Sequence, residues 1–508
     1  MTSHEAPTLL QLAELAGARV VNPPATPAPV RSIGLDSAAL APGGLFAALP
    51  GTRVHGASFA AESKAQAMLT DAAGLDIITA TGDTRPVLVV DDVRAILGEV
   101  SAAVYGHPSR DMTLIGVTGT SGKTTTTYLL ERGLAAAGCT VGLIGTTGTR
   151  IAGKDVPSKL TTPEAPDLQR LFAQMRDEGV THVVMEVSSH ALMLGRVGGT
   201  DFDVAGFTNL SQDHLDFHPT MEDYFQAKAL FFDPASPLAA PLSVICVDDA
   251  WGERMAALAG DSLKVGTRGQ GGVDIAASQL SVEDSGAQEI TLELAGESFE
   301  FRLPLPGEFN VANAALAAGL AHRVGVDVAT FVRGLSQAAV PGRMERIDAG
   351  QDFVAVVDYA HKPAAIAAVL ATLRSQVAGR VGIVVGAGGD RDASKRGIMG
   401  AEAARGADFV VVADDNPRTE DPAAIRAAVR AGAEEAAAEG VEIREDASRA
   451  GAIDQLVAWA KPGDAIVVVG KGHEVGQIVG TTTHHFDDRE EMRRALAEQG
   501  YTATSDKE

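Results

Sequence analysis

Apolar runs of strand length alternate with helical patterns in the middle of the chain. From "MTLIGVTG" onward, short runs rich in Val, Ile and Leu precede longer segments whose apolar residues recur every three or four positions. The pattern predicts strands at 112–117, 140–145 and 181–187 and helices at 123–137 and 166–178. Strands connected by helices run parallel, so we expect a parallel sheet with helices packed on its faces.

The same alternation restarts after "PGRMERI". It predicts a second α/β unit with strands at 353–358, 381–386, 408–413 and 465–469 and helices at 363–377, 396–405, 422–438 and 448–460. Between the two units, within about 265–304, the alternating segment "EITLELAGESFEFRLPL" predicts an antiparallel hairpin inside or beside the first unit. This second α/β unit therefore forms a separate domain.

The first part of the chain has a different pattern. A short amphipathic segment is followed by "VNPPATPAPV", which cannot continue a helix and indicates a loop. A chain of 508 residues also exceeds what one core usually fills. We therefore predict three α/β domains, at 1–110, 111–340 and 341–508.

The composition bears on the compartment in which the protein works and on the classes of partner it can bind. The formal net charge of −24 opposes non-specific binding to nucleic acid or to an anionic membrane surface. Cys139 and Cys246, the two cysteines, lie in apolar strand-like segments, which favours a reducing compartment over a disulfide framework. The sequence has neither a signal-type start nor an apolar run long enough to span a bilayer. We expect a soluble, cytoplasmic monomer that binds small molecules.

"GVTGTSGKTTTT" lies between a predicted strand and a predicted helix, the setting of a phosphate-binding loop. Glycines allow backbone N–H groups to surround phosphate oxygens, Lys123 supplies positive charge, and the Thr124 hydroxyl can reach Mg²⁺. Val117 replaces the usual first glycine of the pattern, between Gly116 and Gly119. Motors, transporters, kinases and ligases share such loops, so the loop alone does not name a reaction.

Polar side chains follow the next two apolar strands. "THVVMEVSSHAL" ends in Glu186 and its neighbours, and "FTNLSQDHLDFH" places His214 between Asp213 and Asp216. Either group alone fits a helix cap or a structural hydrogen bond. Because the carboxyl ends of parallel strands face the bound ligand, two such ends behind one phosphate loop favour a magnesium site with Glu186 as a ligand.

Three strands of the C-terminal unit also end in polar loops, "IVVGAGGDRD", "VVVADDNPRTED" and "VVVGKGHE". The side chains that should converge there are Arg391, Asp415, Asn416, Arg418, Gly470 and Glu474. Arginines pair with carboxylates and acidic groups with ammonium, so the predicted ligand is a zwitterionic amino acid. The alternative is an Asx-Pro turn closed by local hydrogen bonds, with Arg418 in solvent.

These motifs, together with "YFQAKALFF", "GEFNVANAALA", "VVDYAHKP" and "GAGGDRDASKRGIM", resemble those of the Mur ligases in order and over nearly the whole chain. Within that family the chain is most similar to members that add meso-2,6-diaminopimelate to the D-glutamate γ-carboxylate of UDP-N-acetylmuramoyl-L-alanyl-D-glutamate. The resemblance implies an N-terminal UDP-substrate domain, a central P-loop ATPase with a parallel sheet and a C-terminal Rossmann-like domain. It also implies an acyl-phosphate intermediate, with ATP as substrate and Mg²⁺ as cofactor.

The resemblance assigns residues to each ligand. For ATP they are Gly119, Thr120, Ser121, Gly122, Lys123, Thr124, Thr125, Asn310, Asn313, Arg343, Asp358 and His361. For the UDP substrate they are Leu35, Ser37, Thr52, Arg53, Val54, Thr161, Thr162, Ser188 and Arg196. For diaminopimelate they are Arg391, Asp415, Asn416, Pro417, Arg418, Gly470 and Glu474. The implied catalytic residues are Lys123, Glu186, His214, Lys228 and Arg343, and the implied metal ligands are Thr124, Glu186, His214 and a carbamylated Lys228.

Two positions depart from the family pattern, Ala38 in place of an arginine and Leu194 in place of a glutamine. The Asp-Asn-Pro-Arg motif implies diaminopimelate, because lysine would leave Arg418 unpaired at a cost of about 1–3 kcal/mol. The alternatives are a lysine-adding Mur ligase, a folylpolyglutamate synthetase, a regulatory P-loop ATPase and a non-catalytic UDP-sugar-binding module. The last does not account for Lys123 and Thr124.

Overall fold

The computed structural model describes residues 5–26, 28–51, 53–158, 160–283 and 286–501. Within them the chain forms three large sheets, of five, eleven and six strands, and one separate two-stranded hairpin. The sheets follow one another along the chain, and positions 110 and 340 fall between them. No helix in the described ranges is long and apolar enough to cross a bilayer.

The N-terminal sheet has the order β1-β5-β4-β3-β2, with only β1 antiparallel to its neighbour. Its elements are α1 Leu9–Leu15, β1 Arg19–Val21, β2 Ile33–Gly34, β3 Leu45–Ala47, β4 Ala67–Thr70, α2 Ala72–Ala80, β5 Val87–Val89 and α3 Val93–Tyr105. Short 3-10 helices occupy Gly56–Glu62 and Pro108–Asp111. Thr8 is the N-cap residue of α1, and its backbone and side chain exchange hydrogen bonds with Gln11 in a capping box.

The central sheet has the order β16-β15-β14-β13-β12-β11-β6-β10-β7-β8-β9. Its strands are β6 Thr113–Thr118, β7 Val141–Gly145, β8 Gly148–Ile151, β9 Lys154–Val156, β10 His182–Glu186, β11 Val204–Phe207, β12 Leu242–Cys246, β13 Asp261–Gly266, β14 Ile275–Val282, β15 Gln288–Leu294 and β16 Glu297–Leu303. Its helices are α4 Lys123–Ala136, α5 Ala165–Asp177, α6 Ser189–Met193, α7 Met221–Ala229, α8 Ala250–Leu258, α9 Glu308–Arg323 and α10 Val328–Leu335. The strands from β7 through β14 in sheet order are parallel, as predicted.

The hairpin predicted within 265–304 is part of a larger antiparallel extension of this sheet. Strands β14, β15 and β16 pair in succession. Ala295 and Gly296 form the turn between the last two, with φ of +54° and +82°. Positive φ at both central residues matches the twist of a two-residue hairpin, and glycine at the second lowers the cost.

The C-terminal sheet has the order β17-β18-β22-β19-β20-β21. Its elements, with the hairpin β23–β24, are β17 Glu345–Arg346, β18 Val354–Asp358, α11 Pro363–Gln376, β19 Val381–Val385, α12 Lys395–Gly406, β20 Phe409–Ala413, α13 Pro422–Ala436, β21 Glu442–Asp446, α14 Arg449–Trp459, β22 Ala465–Val469, β23 Gly476–Val479, β24 Thr482–His485 and α15 Asp488–Glu498. Strands β18, β22, β19, β20 and β21 are parallel. Their carboxyl ends therefore meet at one edge, which faces the phosphate loop of the central sheet.

Candidate active site

The loop between β6 and α4 has the geometry of a phosphate site. Gly119 and Gly122 have φ of +141° and +89°. A Cβ at Gly119 would lie 1.9 Å from the Thr208 hydroxyl, and one at Gly122 would lie 2.3 Å from the Asn313 side-chain oxygen. Only glycine fits either position, and the loop ends at the N-terminus of α4, where backbone N–H groups attract anions.

Three lysine ammonium groups converge on two consecutive carbonyls of this loop. Lys123 Nζ lies 2.9 Å from the Gly119 oxygen and 3.1 Å from the Thr120 oxygen. Lys228 Nζ lies 2.9 Å from the first oxygen, and Lys362 Nζ lies 2.9 Å from the second. Burial, followed by the charge of Lys362, lowers the pKa of Lys123 to about 8. Burial, followed by Lys123 and Lys362, holds the pKa of Lys228 well below its usual value. Such a cluster is stabilised by bound anions.

Glu186 lies at the end of β10, directly beside the phosphate loop. Its carboxylate accepts a 2.8 Å hydrogen bond from the Thr124 hydroxyl and bonds of 2.9 and 3.0 Å from the backbone and side chain of Thr146. The Glu186 carboxylate and the Thr124 hydroxyl supply the oxygen donors that Mg²⁺ prefers. Within the described ranges, no three His, Cys, Asp or Glu side chains are grouped to hold a metal. A cation here therefore needs further ligands, such as substrate phosphates or water.

His214 lies in the loop after β11, within electrostatic reach of Lys123 and Lys362. Its backbone has φ of +55°, and its Nε2 lies 3.3 Å from the Asp213 carboxylate. The His190 ring lies 5.0 Å from the His214 ring, centroid to centroid. Burial lowers the pKa of His214 far below its usual value despite Asp213. The imidazole is therefore neutral, which is the form that ligates metals.

The segment just before β17 of the C-terminal domain contributes an arginine to the phosphate loop. Arg343 Nη2 lies 3.2 Å from the Thr124 hydroxyl, and its guanidinium lies 4.2 Å from the Tyr359 ring centroid. Nearby, the buried Asp358 carboxylate accepts 2.7 Å hydrogen bonds from the backbone N–H groups of Met344 and Ala360. Burial raises the pKa of Asp358 even though Arg343 and these hydrogen bonds oppose the change. An arginine from a second domain at this position can stabilise charge on a phosphoryl group.

Asn310 and Asn313 lie one helical turn apart at the start of α9, and both are buried. Asn313 Nδ2 donates to Asn310 Oδ1 at 3.0 Å, and Asn310 Nδ2 donates to the Pro306 carbonyl at 2.8 Å. His361 lies in the C-terminal domain, where its Nδ1 donates to the Tyr359 carbonyl at 2.8 Å. Burial, followed by the charge of Lys362, lowers its pKa to about 3. Of these residues, Asn313 reaches the phosphate loop at Gly122, whereas the hydrogen bonds described for Asp358 and His361 lie within the C-terminal domain.

Four of the residues assigned to the UDP substrate form one group. The Thr162 hydroxyl donates to the Glu186 carbonyl at 2.8 Å and accepts from the Ser188 N–H at 3.2 Å. Arg196 Nη1 donates to the Thr162 carbonyl at 3.3 Å, and the Thr161 and Thr146 hydroxyls are 3.1 Å apart. This group therefore contacts Glu186 directly through Thr162 and indirectly through Thr161, which contacts Thr146.

The other UDP assignments lie in the N-terminal domain. Leu35 packs against that domain's core, which also contains Ala165 of α5, and Ser37 is buried. Arg53 and Val54 are exposed, and the described contacts do not join them to the group above. Thr52 lies outside the described residues. The sequence predicted no role for Glu164. Its carboxylate pairs with Arg94 of the N-terminal domain at 3.3 Å and with Arg196 at 2.8 Å.

The three C-terminal loops converge as predicted. Asn416 Nδ2 donates to Glu474 Oε2 at 3.0 Å, and a Cβ at Gly470 would lie 2.4 Å from Asp415 Oδ2. Arg418, half-buried with φ of +51°, donates from Nη1 to the Gly389 carbonyl at 2.7 Å. Pro417 lies between Asn416 and Arg418 in the same loop.

Charges of both signs surround Arg418. Burial lowers its pKa, and Arg391 lowers it further, while Asp415, Glu474 and Asp390 act in the opposite direction. Arg391 also acts electrostatically on His190 of the central domain. Arg391 therefore lies within electrostatic reach of the central domain, and Arg418 lies half-buried among charged groups of both signs rather than in solvent.

Sequence reasoning missed the hairpin β23–β24, which holds the loop containing Arg418. The Arg418 N–H donates to the Ile478 carbonyl at 3.0 Å, and the Gly480 N–H donates to the Arg418 carbonyl at 2.7 Å. Gln477 Nε2 donates to the Asp415 carbonyl at 2.8 Å. The available signal was a pair of alternating segments around the Gly480 turn in "GQIVGTTTHH", but these segments are only four residues long.

Three family models together match most of the chain. The Mur ligase middle domain matches residues 117–321, the Mur ligase glutamate ligase domain matches 342–472, and the model described as Mur ligase family, catalytic domain, matches 29–105. This chain belongs to the Mur ligase family.

Three Mur ligases illustrate how far the similarity extends. The Corynebacterium glutamicum protein named UDP-N-acetylmuramoyl-L-alanyl-D-glutamate--2,6-diaminopimelate ligase is 65% identical over 478 residues, 92% of each chain. A solved structure with the same enzyme name is 32% identical, with a TM-score of 0.63, and covers 93% of this chain and 96% of its own. The MurF ligase of Thermotoga maritima, solved with ADP, is 19% identical with a TM-score of 0.64, covering 92% of this chain and 98% of its own, and shares the fold.

Proposed function

We propose that this Mur ligase joins meso-2,6-diaminopimelate to the D-glutamate γ-carboxylate of UDP-N-acetylmuramoyl-L-alanyl-D-glutamate, with cleavage of ATP to ADP and phosphate. The position of Arg418 is the observation that carries the proposal. Its half-buried guanidinium lies near the acidic groups of Asp415 and Glu474, among the loops at the carboxyl edge of the C-terminal sheet. A ligand with a carboxylate and an ammonium group at its far end satisfies both charges, whereas lysine satisfies only one.

The relatives support this choice of substrates. The Corynebacterium glutamicum protein, at 65% identity, carries the name of the diaminopimelate-adding ligase. ADP in the solved Thermotoga maritima MurF supports nucleotide binding by the shared fold. We propose the residue assignments and the domain limits 1–110, 111–340 and 341–508 on the same basis, and we propose a cytoplasmic monomer because one chain contributes all three assigned sites.

The first step forms an acyl phosphate. A γ-carboxylate oxygen attacks the γ-phosphorus of ATP, the new O–P bond forms, and the bond to the β–γ bridging oxygen breaks to release ADP. Both reactants are anions, so the reaction needs local positive charge, which Lys123 and Arg343 provide. When bound, Mg²⁺ would neutralise phosphate charge, and the Thr124 hydroxyl and Glu186 carboxylate would hold it.

The second step forms the amide. A neutral amine of diaminopimelate attacks the acyl carbon, the C–O bond to phosphate breaks, and the proton of the nitrogen is lost to solvent. The loops around Arg418 fix the far end of the amino acid, so the attacking amine is held against the activated carbonyl. Contact between the C-terminal domain and the phosphate loop keeps water away from the reactive intermediate.

We also propose that Lys228 is carbamylated. Its amine is completely buried, and the low pKa favours the neutral form that adds to CO₂ with loss of one proton. The resulting carboxylate would supply oxygen ligands that an ammonium group cannot, beside the phosphate loop at Gly119. Enzyme incubated with ¹³C-labelled bicarbonate should show a carbamate ¹³C signal, and this signal should be absent from Lys228→Met.

The test measures phosphate release from ATP in the presence of UDP-N-acetylmuramoyl-L-alanyl-D-glutamate. Parallel reactions contain meso-diaminopimelate, L-lysine or no amino acid, and mass spectrometry identifies the product. We expect release and a new amide only with diaminopimelate, and we expect Lys123→Ala to abolish both while remaining folded. Preference for lysine would reject the role of Arg418, and release independent of both substrates would indicate a regulatory ATPase.

A further inference from the structure

Lys471 is a completely buried cation directly beneath the amino-acid site. It follows Gly470 after strand β22, and its side chain is 0% exposed. Its Nζ lies 3.2 Å from Asn416 Oδ1, 3.1 Å from Glu474 Oε2 and 2.5 Å from the Gly476 carbonyl oxygen. Burying an ammonium group is costly unless it is paired and hydrogen-bonded, so these three contacts account for its presence.

The three contacts use all three N–H donors of the ammonium group. Lys471 therefore has no donor left for a substrate, and any influence on the reaction must pass through its partners. Two of those partners, Asn416 and Glu474, are assigned to the incoming amino acid. The third, Gly476, is the first residue of the hairpin β23–β24.

These contacts fix the orientation of the Asn416 amide. Its Oδ1 accepts from Lys471 and from the Ile478 N–H at 2.9 Å, so its Nδ2 must point the other way, where it donates to Glu474 Oε2 at 3.0 Å. Glu474 Oε2 thus accepts two donors, one of them charged. Oε1 is the carboxylate oxygen that remains to accept from a ligand, and Lys471 holds the carboxylate in that orientation.

We propose that Lys471 is a positioning residue for the incoming amino acid, acting through Asn416 and Glu474. The proposal rests on the proposed function, because it concerns the same amino-acid pocket. Without the ammonium group, the Glu474 carboxylate would lose its buried counter-charge and turn toward solvent, for which its 34% side-chain exposure leaves room. The Asn416 amide would then lose one of the two donors to its Oδ1 and be held there by the Ile478 N–H alone. Both changes affect binding of the amino acid and leave the phosphate loop intact.

Lys471→Met tests this directly, because methionine keeps the apolar stem and removes the charge. We expect KM for diaminopimelate to rise about 10- to 100-fold, and KM for ATP and for the UDP substrate to stay within about twofold. Lys461→Met, which changes an exposed lysine at the other end of β22, should leave all three values unchanged. An equal rise in all three KM values would indicate general damage to the structure and would reject the proposal.

A double-mutant cycle with Glu474→Gln distinguishes positioning from simple loss of stability. If Lys471 acts by holding the Glu474 carboxylate, the double variant should bind diaminopimelate no more weakly than Glu474→Gln alone. Additive losses would reject the coupling. ATP binding to each variant, measured by calorimetric titration, gives the folded fraction. If wild type itself does not use diaminopimelate, the proposed function fails; if it does and Lys471→Met has an unchanged KM, only the role of Lys471 fails.

Discussion

The ammonium group of Lys362 donates a 2.9 Å hydrogen bond to the Thr120 carbonyl, joining the C-terminal domain to the phosphate loop of the central domain. The same group forms a 2.9 Å ion pair with Asp213, and the two side chains are 8% and 4% exposed. Burial by itself raises the pKa of Asp213, but Lys362 and other nearby cations outweigh this effect and hold the pKa below its usual value. The contact exists only while the two domains are packed together.

Replacing Lys362 with Met should therefore weaken closure of the C-terminal domain over ATP. We expect turnover to fall about 10- to 100-fold, the range associated with losing a hydrogen bond to a charged group. Small-angle scattering with ATP and the UDP substrate bound should show a more open enzyme than wild type. Lys395→Met is the control, because Lys395 lies 3.7 Å from Asp213 and should matter less. Wild-type turnover in Lys362→Met would contradict this role.

Arg418 should determine the choice between diaminopimelate and lysine. Arg418→Met removes the fork that pairs with the extra carboxylate, so kcat/KM for diaminopimelate should fall at least about 100-fold while the low value for lysine changes by no more than a few-fold. Arg418→Lys keeps the charge, so its kcat/KM for diaminopimelate should lie between the values of wild type and Arg418→Met. Competition assays containing both amino acids measure the ratio directly, and Arg405→Met, at an exposed arginine of α12, is the matched control. An unchanged ratio in Arg418→Met would exclude carboxylate recognition by this residue.

The pair Arg449 and Asp488 should dominate the stability of the C-terminal domain. Both side chains are 0% exposed, and two 2.7 Å hydrogen bonds connect them. Arg449→Met leaves a buried, unpaired carboxylate and should lower the free energy of unfolding by about 3–5 kcal/mol. In the double variant Arg449→Met/Asp488→Leu neither charge remains, so its free energy of unfolding should fall by less than that of Arg449→Met.

Fluorescence can follow this domain alone. The chain has two tryptophans, and in a Trp251→Phe background the signal comes from Trp459 of α14. Urea unfolding of the single and double variants in that background gives the comparison. A double variant less stable than Arg449→Met would show that the pair acts through contacts other than its charges.

Asp464 gives a pH-dependent stability test. Burial raises its pKa, but hydrogen bonds from Arg380 Nη2 at 2.6 Å and Arg380 N–H at 2.8 Å outweigh burial, so the folded-state pKa lies below the unfolded one. Its stabilising effect is therefore complete above the unfolded pKa of about 4 and is lost as pH falls through the folded-state pKa. Asp464→Asn should be less stable than wild type at pH 7, and the difference should shrink below about pH 4. Unfolding at pH 7, 5, 4 and 3.5 measures it, and a constant difference would contradict this assignment.

The fold was predictable where strands are buried on both faces. Segments such as "FVVVA" at Phe409–Ala413 and "AIVVV" at Ala465–Val469 are continuous apolar runs, so their predicted limits agree with the structure to within a residue. Edge and surface elements gave weaker signals. Strand β21 is "EIRED" and helix α15 is "DREEMRRALAE", and charged residues on exposed faces conceal the apolar period in both.

The candidate site was predictable where a motif carries its own chemistry. Strand-end positions brought Thr124 and Glu186 to the carboxyl edge of the central sheet and the loop containing Arg418 to the carboxyl edge of the C-terminal sheet, as parallel topology requires. Lys362 and Lys471 lie beside assigned residues in "DYAHKP" and "GKGHE", yet their roles depend on partners far away in the chain. A lysine is ordinarily solvated, so only the folded arrangement distinguishes these two from surface residues.

The hairpin β23–β24 has a consequence for attempts to change the amino acid that this enzyme uses. The four residues from Asp415 to Arg418 take their conformation from hydrogen bonds to residues 476–480, about sixty positions later in the chain. Arg418 holds φ of +51° within that contact, a conformation that an isolated loop would rarely keep. Grafting the tetrapeptide onto another ligase would therefore transfer its side chains without their arrangement. The smallest unit that could transfer the specificity is the tetrapeptide together with the hairpin. These two segments are far apart in the sequence but fold as one surface.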